Sequence, residues 1–496
     1  MLINETHLFA YQHCDRQVFL DTFGDKSQRQ SPSEFLEKLH RDSRDFADHV
    51  MTIYREQNDG YEKVIYQREN WQDGWQKTGE LMKQGVNIIE NGVLFASENL
   101  SINNQEINVN LLSHPALLIK INGASKLGNY HYYPLDIKFG KRPKLEYQIV
   151  TTFHSYLLGK IQDFLPAIAE LFIRDKGIYY VNVLKRLEEV EKSLLGLAQL
   201  FLHQQEPEVF ISRQKCGLCN WHSSCHQVAT KIDHLSLLAG VSPKRYQALK
   251  ELNITSLKAL AESQANDLEN YPELTEGIGK NLIKQAQSVL HNQPFIRPSE
   301  LIIKHKQHLL TAPVEIYFDI EAQPELNLDY LHGVLIIDHR QNQQNFYSLV
   351  AKTPAEEGKV WQEFLNLVWQ YPVAPIYHFC EYEAQTIKRL AKVYQTPIYQ
   401  WQPLLKRCID LHKLVTQTVI LPIESYALKN IAKWLGFQWR NPQANGAQSV
   451  CWYEQWLNTG DRTLLENIKQ YNEDDCYATY QVKKWLTQFI NENSYY

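Results

Sequence analysis

The segment Glu315-Ile-Tyr-Phe-Asp319-Ile-Glu321 constrains this chain more than any other stretch. Successive residues of a strand point to opposite faces, so Asp319 and Glu321 project together from the end of an apolar run. Two carboxylates held that close repel one another unless a cation lies between them, and a divalent metal is the economical partner. Taken alone, an Asp-x-Glu pair on a strand also describes a solvated sheet edge. What the rest of the chain supplies decides between the two.

Three further stretches supply it. Pro375-Ile-Tyr-His378-Phe-Cys-Glu381-Tyr382-Glu383 reads as a short apolar strand entering a helix over 384–392. Near the end, Ile468-Lys-Gln-Tyr471-Asn-Glu-Asp474-Asp475 lies on a helix continuing through Ala478, Val482 and Leu486. Tyr471 and Asp475 are four apart there and share one face. Cys408-Ile-Asp410-Leu411 is another short apolar segment ending in an acid, and Asp410 reads as a helix cap or a support for the site.

With these residues in place, the segment resembles the DEDD exonuclease superfamily in its tyrosine-bearing branch, whose fold is ribonuclease-H-like. The resemblance covers about 180 residues, with all three motifs in family order. Asp319 and Glu321 match the first motif; His378, Tyr382 and Glu383 match the second; Tyr471 and Asp475 match the third. Two positions depart from the pattern: His378 stands for the usual Asn, and Glu383 for Asp. Glu381 is an alternative acid to Glu383, and Asp474 to Asp475. A glutamate ligates through one more methylene, so adjusted rather than abolished activity is expected. The resemblance implies that Asp319, Glu321, Glu383 and Asp475 hold two Mg²⁺ or Mn²⁺ ions, one activating a water and the other stabilising the departing 3′ oxygen. It also implies that Tyr471 orients the attacking water and takes its proton, and that His378 faces the nucleic acid.

The first 230 residues carry a different set of signals. Cys216-Gly-Leu-Cys219-Asn-Trp-His-Ser-Ser-Cys225 has metal-ligand spacing, with zinc a fair reading. Its missing fourth ligand is Cys14, His222 or His226. Cys14-Asp-Arg16 followed by the distant cysteine cluster is similar to the iron–sulfur RecB-like nucleases. That resemblance implies a [4Fe–4S] cluster on Cys14, Cys216, Cys219 and Cys225, with zinc as the alternative, and a PD-(D/E)XK core. Asp136-Ile-Lys138 supplies the D-x-K of such a core, on a strand over 132–138 that follows another over 115–121. The earlier acid is missing: Ala116 stands where it should be. The following helical Gln-x-x-x-Tyr is also broken, since Gln148 is followed four on by Thr152. The D-x-K pair is therefore expected to survive as a salt bridge or phosphate contact in a degenerate nuclease site. Helices are expected over 147–158 and 180–201.

Between these two parts, 231–295 reads as short helices. Gly277-Ile-Gly279-Lys280 resembles the turn of a helix-hairpin-helix, whose backbone N–H groups face a phosphate. Residues 296–312 read as a linker. The expected organisation is a multidomain α/β chain: a RecB-like restriction-endonuclease-type domain (1–230), the hairpin segment, the linker, and a ribonuclease-H-like mixed-sheet domain (313–496).

Composition bounds the rest. With 44% hydrophobic and 22% charged residues, the chain is ordinary globular protein. Its net charge of −5 provides no overall basic field, so nucleic acid must be held by local patches such as Lys138 to Lys144 or Lys429 to Arg440. The N-terminal stretch lacks a signal-peptide pattern and no run of eighteen apolar residues occurs, so a cytoplasmic protein without a membrane partner is expected. The function these observations imply is 3′→5′ exonuclease action on single-stranded 3′ ends of DNA or RNA. The competing class is a non-catalytic nucleic-acid-binding scaffold in which both nuclease folds have decayed.

Overall fold

A computed structural model describes residues 1–67, 69–297 and 308–493. The chain forms two compact units, Met1–Val209 with Arg213–Cys225, and Phe210–Ser212 with His226–Tyr496. Among the described residues, no helix is long and apolar enough to cross a membrane.

The first unit is built on a mixed six-stranded sheet, in the order Tyr61–Lys63, Ile88–Glu90, Leu117–Ser125, Gly128–Lys138, Ile168–Ile173 and Gly177–Asn182. A smaller sheet pairs Leu2–Asn4 with Gln105–Ser113, and that strand with Leu94–Ile102. The two strands expected around Ala116 and Asp136 form a hairpin, with a bulge between Asn122 and Ser125. The helix Leu145–Gln162 is buried along most of its length and carries Phe153, Leu157 and Leu158 into the main core. The helix expected from 180 begins instead at Val183. Ile178, Tyr179, Tyr180 and Val181, β-branched or aromatic, pair antiparallel with Ile168–Ile173. Asn182 then caps the helix Val183–His203 by accepting from the Lys185 N–H.

In the second unit, Pro243–Glu251, Leu257–Glu262, Ala265–Leu268 and Ile278–His291 gather around Leu249, Leu260, Leu268, Leu274 and Leu282. Gly277 takes the left-handed conformation (φ 77°) that starts the last of these helices. At Gly279 a Cβ would stand 2.8 Å from Leu268 Cβ, so that glycine permits close packing. This helical segment is bonded into the C-terminal domain: Gln285 Nε2 donates to the Leu421 carbonyl at 2.6 Å, and Phe295–Ile296 pairs with Val419–Ile420. Of the linker expected over 296–312, residues 298–307 lie outside those described.

The C-terminal domain contains the strands β1 (Val314–Gln323), β2 (Leu328–Asp338), β3 (Gln343–Val350), β4 (Ile376–His378) and β5 (Cys408–Asp410). They lie in the order β3-β2-β1-β4-β5; β1 to β3 are antiparallel neighbours, and β4 and β5 run parallel to β1. The helices are α1 (Glu357–Val368), α2 (Tyr382–Val393), α3 (Ile398–Arg407), α4 (Leu411–Thr418), α5 (Leu428–Trp434), α6 (Gly446–Thr459) and α7 (Arg462–Asn493). Alternation along β1 divides its residues. Ile316, Phe318 and Ile320 pack with Trp361 and Phe364 of α1 and Ile387 and Leu390 of α2, each large apolar side chain contributing about 1.5–3 kcal/mol on burial. The odd-numbered residues Glu315 to Glu321 face the other way, toward α7. There Lys483 of α7 pairs with Glu315 Oε1 at 2.6 Å, both side chains being buried.

Candidate metal centre

The register of β1 against α7 places the carboxylates. Ligand oxygens of Asp319, Glu321 and Asp475 all lie within 4.8 Å of one another, the one such group of three acidic, histidine or cysteine side chains among the described residues. Glu321 and Asp475 are buried, and Asp319 is half-buried. All three donors are carboxylate oxygens, the chemistry of a hard divalent cation such as Mg²⁺ or Mn²⁺.

Each acid is held by a neighbour. Asn472 Nδ2 donates to Asp319 Oδ2 at 2.7 Å. Ser449 of α6 donates to Glu321 Oε2 at 2.6 Å. The Trp439 indole donates to Asp475 Oδ1 at 2.7 Å, and the Tyr471 hydroxyl also bonds Asp475. None of Asn472, Ser449 and Trp439 was legible as a site residue, because each reaches its acid from an element remote in sequence. Gly333 of β2 lies opposite Asp319, and a Cβ there would overlap Asn472.

Electrostatics follow from burial and crowding. Burial, then Asp475, Glu321 and Glu383, push the Asp319 carboxyl far above the usual carboxylate range. Burial raises Glu321 and Asp475 too; Ser449 opposes it at the first, and Tyr471 and Trp439 at the second. A site whose carboxyls resist ionisation together is one that a cation would relieve.

The second motif is placed beside this group. Glu383, in the first turn of α2, is buried, and burial raises its carboxyl. Its Oε2 lies 3.4 Å from His378 Nδ1 yet accepts no hydrogen bond. The His378 Nδ1 proton is directed to the Cys380 carbonyl at 2.6 Å, since a carbonyl can only accept. The Glu383 charge acts on Asp319 and Glu321, but Glu383 stands outside the group of three whose oxygens lie within 4.8 Å. Glu381 is exposed at the helix start. Asp474 is engaged by Arg440, whose Nε lies 2.7 Å from its Oδ1, whereas Asp475 stands in the acidic group. Tyr382 donates to Asp329 Oδ1 at 2.6 Å. Asp410 caps α4 by accepting from Lys413 N and also accepts from Cys380 N.

In the first unit, Lys138 Nζ lies 2.8 Å from Asp136 Oδ2, and His154 Nε2 lies 3.8 Å from the same oxygen. Burial would raise the Asp136 carboxyl, but Lys138 and His154 outweigh it and hold it well below the usual range. Glu90, fully buried on the strand between Tyr61–Lys63 and Leu117–Ser125, is committed to Arg55 and Lys63 at 2.9 and 2.6 Å. Gln148 spans the Pro143 carbonyl and Arg186.

The cysteine site expected from spacing is overturned. Cys14, Cys216, Cys219 and Cys225 form no group with three ligand atoms within 4.8 Å, so neither a [4Fe–4S] cluster nor zinc is supported there. Cys219 and Cys225 pack instead against the apolar cluster of Phe19, Leu20 and Trp221. Burial pushes the Cys14 thiol up to about 11 and also raises the Cys219 thiol. Local spacing brings Cys216 and Cys219 into one turn, but it cannot make four sulfurs converge.

Lys280 is exposed, and Gly277 and Gly279 serve the helix start and its packing.

A family model described as the RNase_H superfamily matches residues 316–487. A comparison with curated proteins gives no match. The matched span begins in β1 and ends in α7, the two elements that carry Asp319, Glu321 and Asp475. This multidomain α/β chain therefore contains a C-terminal RNase H-like domain with a candidate metal-binding acidic cluster.

Proposed function

We propose that the C-terminal domain is a metal-dependent 3′→5′ exonuclease acting on single-stranded 3′ ends of DNA or RNA. The observation that carries this reading is the convergence of Asp319, Glu321 and Asp475 within 4.8 Å. Glu383 is the fourth acid in the proposal, supported by its orphaned Oε2. Together the four would hold two Mg²⁺ or Mn²⁺ ions, which when bound supply charge stabilisation for the attacking water and the leaving 3′ oxygen.

The chain's own residues prepare that chemistry. Asn472, Ser449 and Trp439 fix the three clustered carboxylates by hydrogen bonds, as partners of metal ligands commonly do. Burial and the nearby acids raise the Tyr471 hydroxyl far above its ordinary range, so it stays protonated; its one proton is directed to Asp475, and its oxygen remains as an acceptor that orients water. His378 is assigned to the turn entering α2 and, through its remaining nitrogen, to the strand.

The first unit is proposed as a RecB-like module that binds the strand without cutting it. The Asp136–Lys138 ion pair and the absence of an acid at Ala116 support that reading. Gly277, Gly279 and Lys280 are proposed as a backbone phosphate contact.

The test is digestion of 3′- and 5′-labelled single strands of DNA and RNA in Mn²⁺. Stepwise loss from the 3′ end, abolished by Asp319→Ala or Asp475→Ala, is expected. Intact label with the wild-type protein on every substrate would favour the non-catalytic scaffold and sink the enzyme reading.

A further inference from the structure

A second feature adjoins the acidic cluster. The segment from α5 to Pro442 encloses a pocket of about 350 Å³ lined by Lys429, Lys433, Phe437, Gln438 and Trp439. That volume is at the small end of the range for small-molecule sites. Its charge and shape are specific: two lysines and two aromatic rings, with no acid in the lining. Lys433 and Gln438 are exposed, Phe437 is half-buried, and Trp439 is buried. The Phe437 and Trp439 rings meet edge to face, with centroids 4.9 Å apart.

Trp439 belongs to both sites. Its ring lines the pocket, while its indole N–H donates to Asp475 at 2.7 Å. Lys429 bridges them as well. Its ammonium lies 5.5 Å from the Trp439 ring and 5.2 Å from the Tyr471 ring, and it bonds the Ala444 carbonyl. A molecule held here therefore meets cations and flat rings, one side chain away from the carboxylate cluster. An anion joined to a planar ring satisfies those features, and a nucleotide is such a molecule.

We propose that this pocket seats one nucleotide, its phosphate on Lys429 and Lys433 and its base against Phe437 and Trp439. The binding stands on the pocket itself; its place in a reaction rests on the exonuclease reading above. For that reading it supplies a subsite for the nucleotide next to the scissile bond, and it explains how a chain of net charge −5 can hold a polyanion locally.

The experiment uses the full-length protein in EDTA, titrated calorimetrically with dAMP and, separately, with a single-stranded deoxyadenosine oligonucleotide. Phe437→Ala is expected to weaken dAMP at least about fivefold, the loss of one stacking contact. Lys433→Glu, at an exposed position that leaves the fold intact, is expected to weaken both ligands. Asp319→Ala should retain dAMP binding. Competition between dAMP and the oligonucleotide identifies a nucleotide of the strand as occupant; dAMP binding that the oligonucleotide does not displace identifies a free mononucleotide. Absence of saturable dAMP binding, with oligonucleotide affinity and KM unchanged in both variants, overturns the proposal even if the wild type digests its substrate. Specific dAMP binding without any digestion keeps the pocket and removes the nuclease reading.

Discussion

Gly333 and Asn472 occupy mutually exclusive space: a Cβ on Gly333 would stand 2.7 Å from Asn472 Cγ and overlap its side-chain oxygen. Because Asn472 also donates to Asp319, the glycine on β2 sets the approach of α7 to the acidic cluster. Gly333→Ala is therefore expected to destabilise the protein by about 1–3 kcal/mol through overpacking and to weaken Mn²⁺ binding. Denaturant unfolding and a metal titration check the two effects. Unchanged values in both would show that α7 does not need this contact.

The Trp439 indole fixes Asp475 from outside the acidic group. Trp439→Phe keeps a ring of similar shape and removes the donor. Metal affinity should fall by roughly tenfold, the lower end for partners of metal ligands. Titration with Mn²⁺ followed by electron paramagnetic resonance would read this directly, and equal affinities for variant and wild type would refute it.

Metal-free stability should depend on pH with a definite sign. Asp319, Glu321, Glu383 and Asp475 have raised carboxyls in the folded chain, burial being the first cause at each. The folded state thus retains protons that the unfolded chain releases above about pH 4. Their contribution to stability is present at low pH and is lost as pH rises through the raised folded values. Asp136 and Glu315 have lowered carboxyls and act in the opposite sense, at and below the ordinary carboxylate range. Burial lowers His332 to about 3, so it also acts in the opposite sense up to about pH 6.5. Tm in EDTA should therefore decline from about pH 6.5 to 8, and Mg²⁺ or Mn²⁺ should raise it most at the upper end. A Tm independent of metal across that range would count against the site.

The Lys483–Glu315 pair ties α7 to the start of β1, with Tyr317 also donating to Glu315 at 2.7 Å. Lys483→Met leaves a buried carboxylate without its cation and should cost about 3–5 kcal/mol. Adding Glu315→Gln should recover much of that loss. Urea unfolding of the single and double variants tests it, and equal stability of the Lys483→Met protein and wild type would be the contrary result.

The sequence by itself determined the elements that carry the chemistry. Alternation put Asp319 and Glu321 on one face of β1, and four-residue spacing put Tyr471 and Asp475 on one face of α7, because strand and helix periods are local properties of the backbone. Only the tertiary structure decided which acids meet. Arg440 draws Asp474 aside, leaving Asp475 in the cluster. It also supplied the supporting partners Asn472, Ser449 and Trp439, whose hydrogen bonds cross between elements far apart in the chain. The cysteines show the same limit from the other side. C-x2-C spacing reads as a ligand turn, but convergence of four sulfurs is a packing outcome, and here Cys219 and Cys225 pack against Phe19, Leu20 and Trp221 instead. Short-range patterns fix the direction of a side chain on its own element; which side chains face one another depends on contacts that no local spacing encodes.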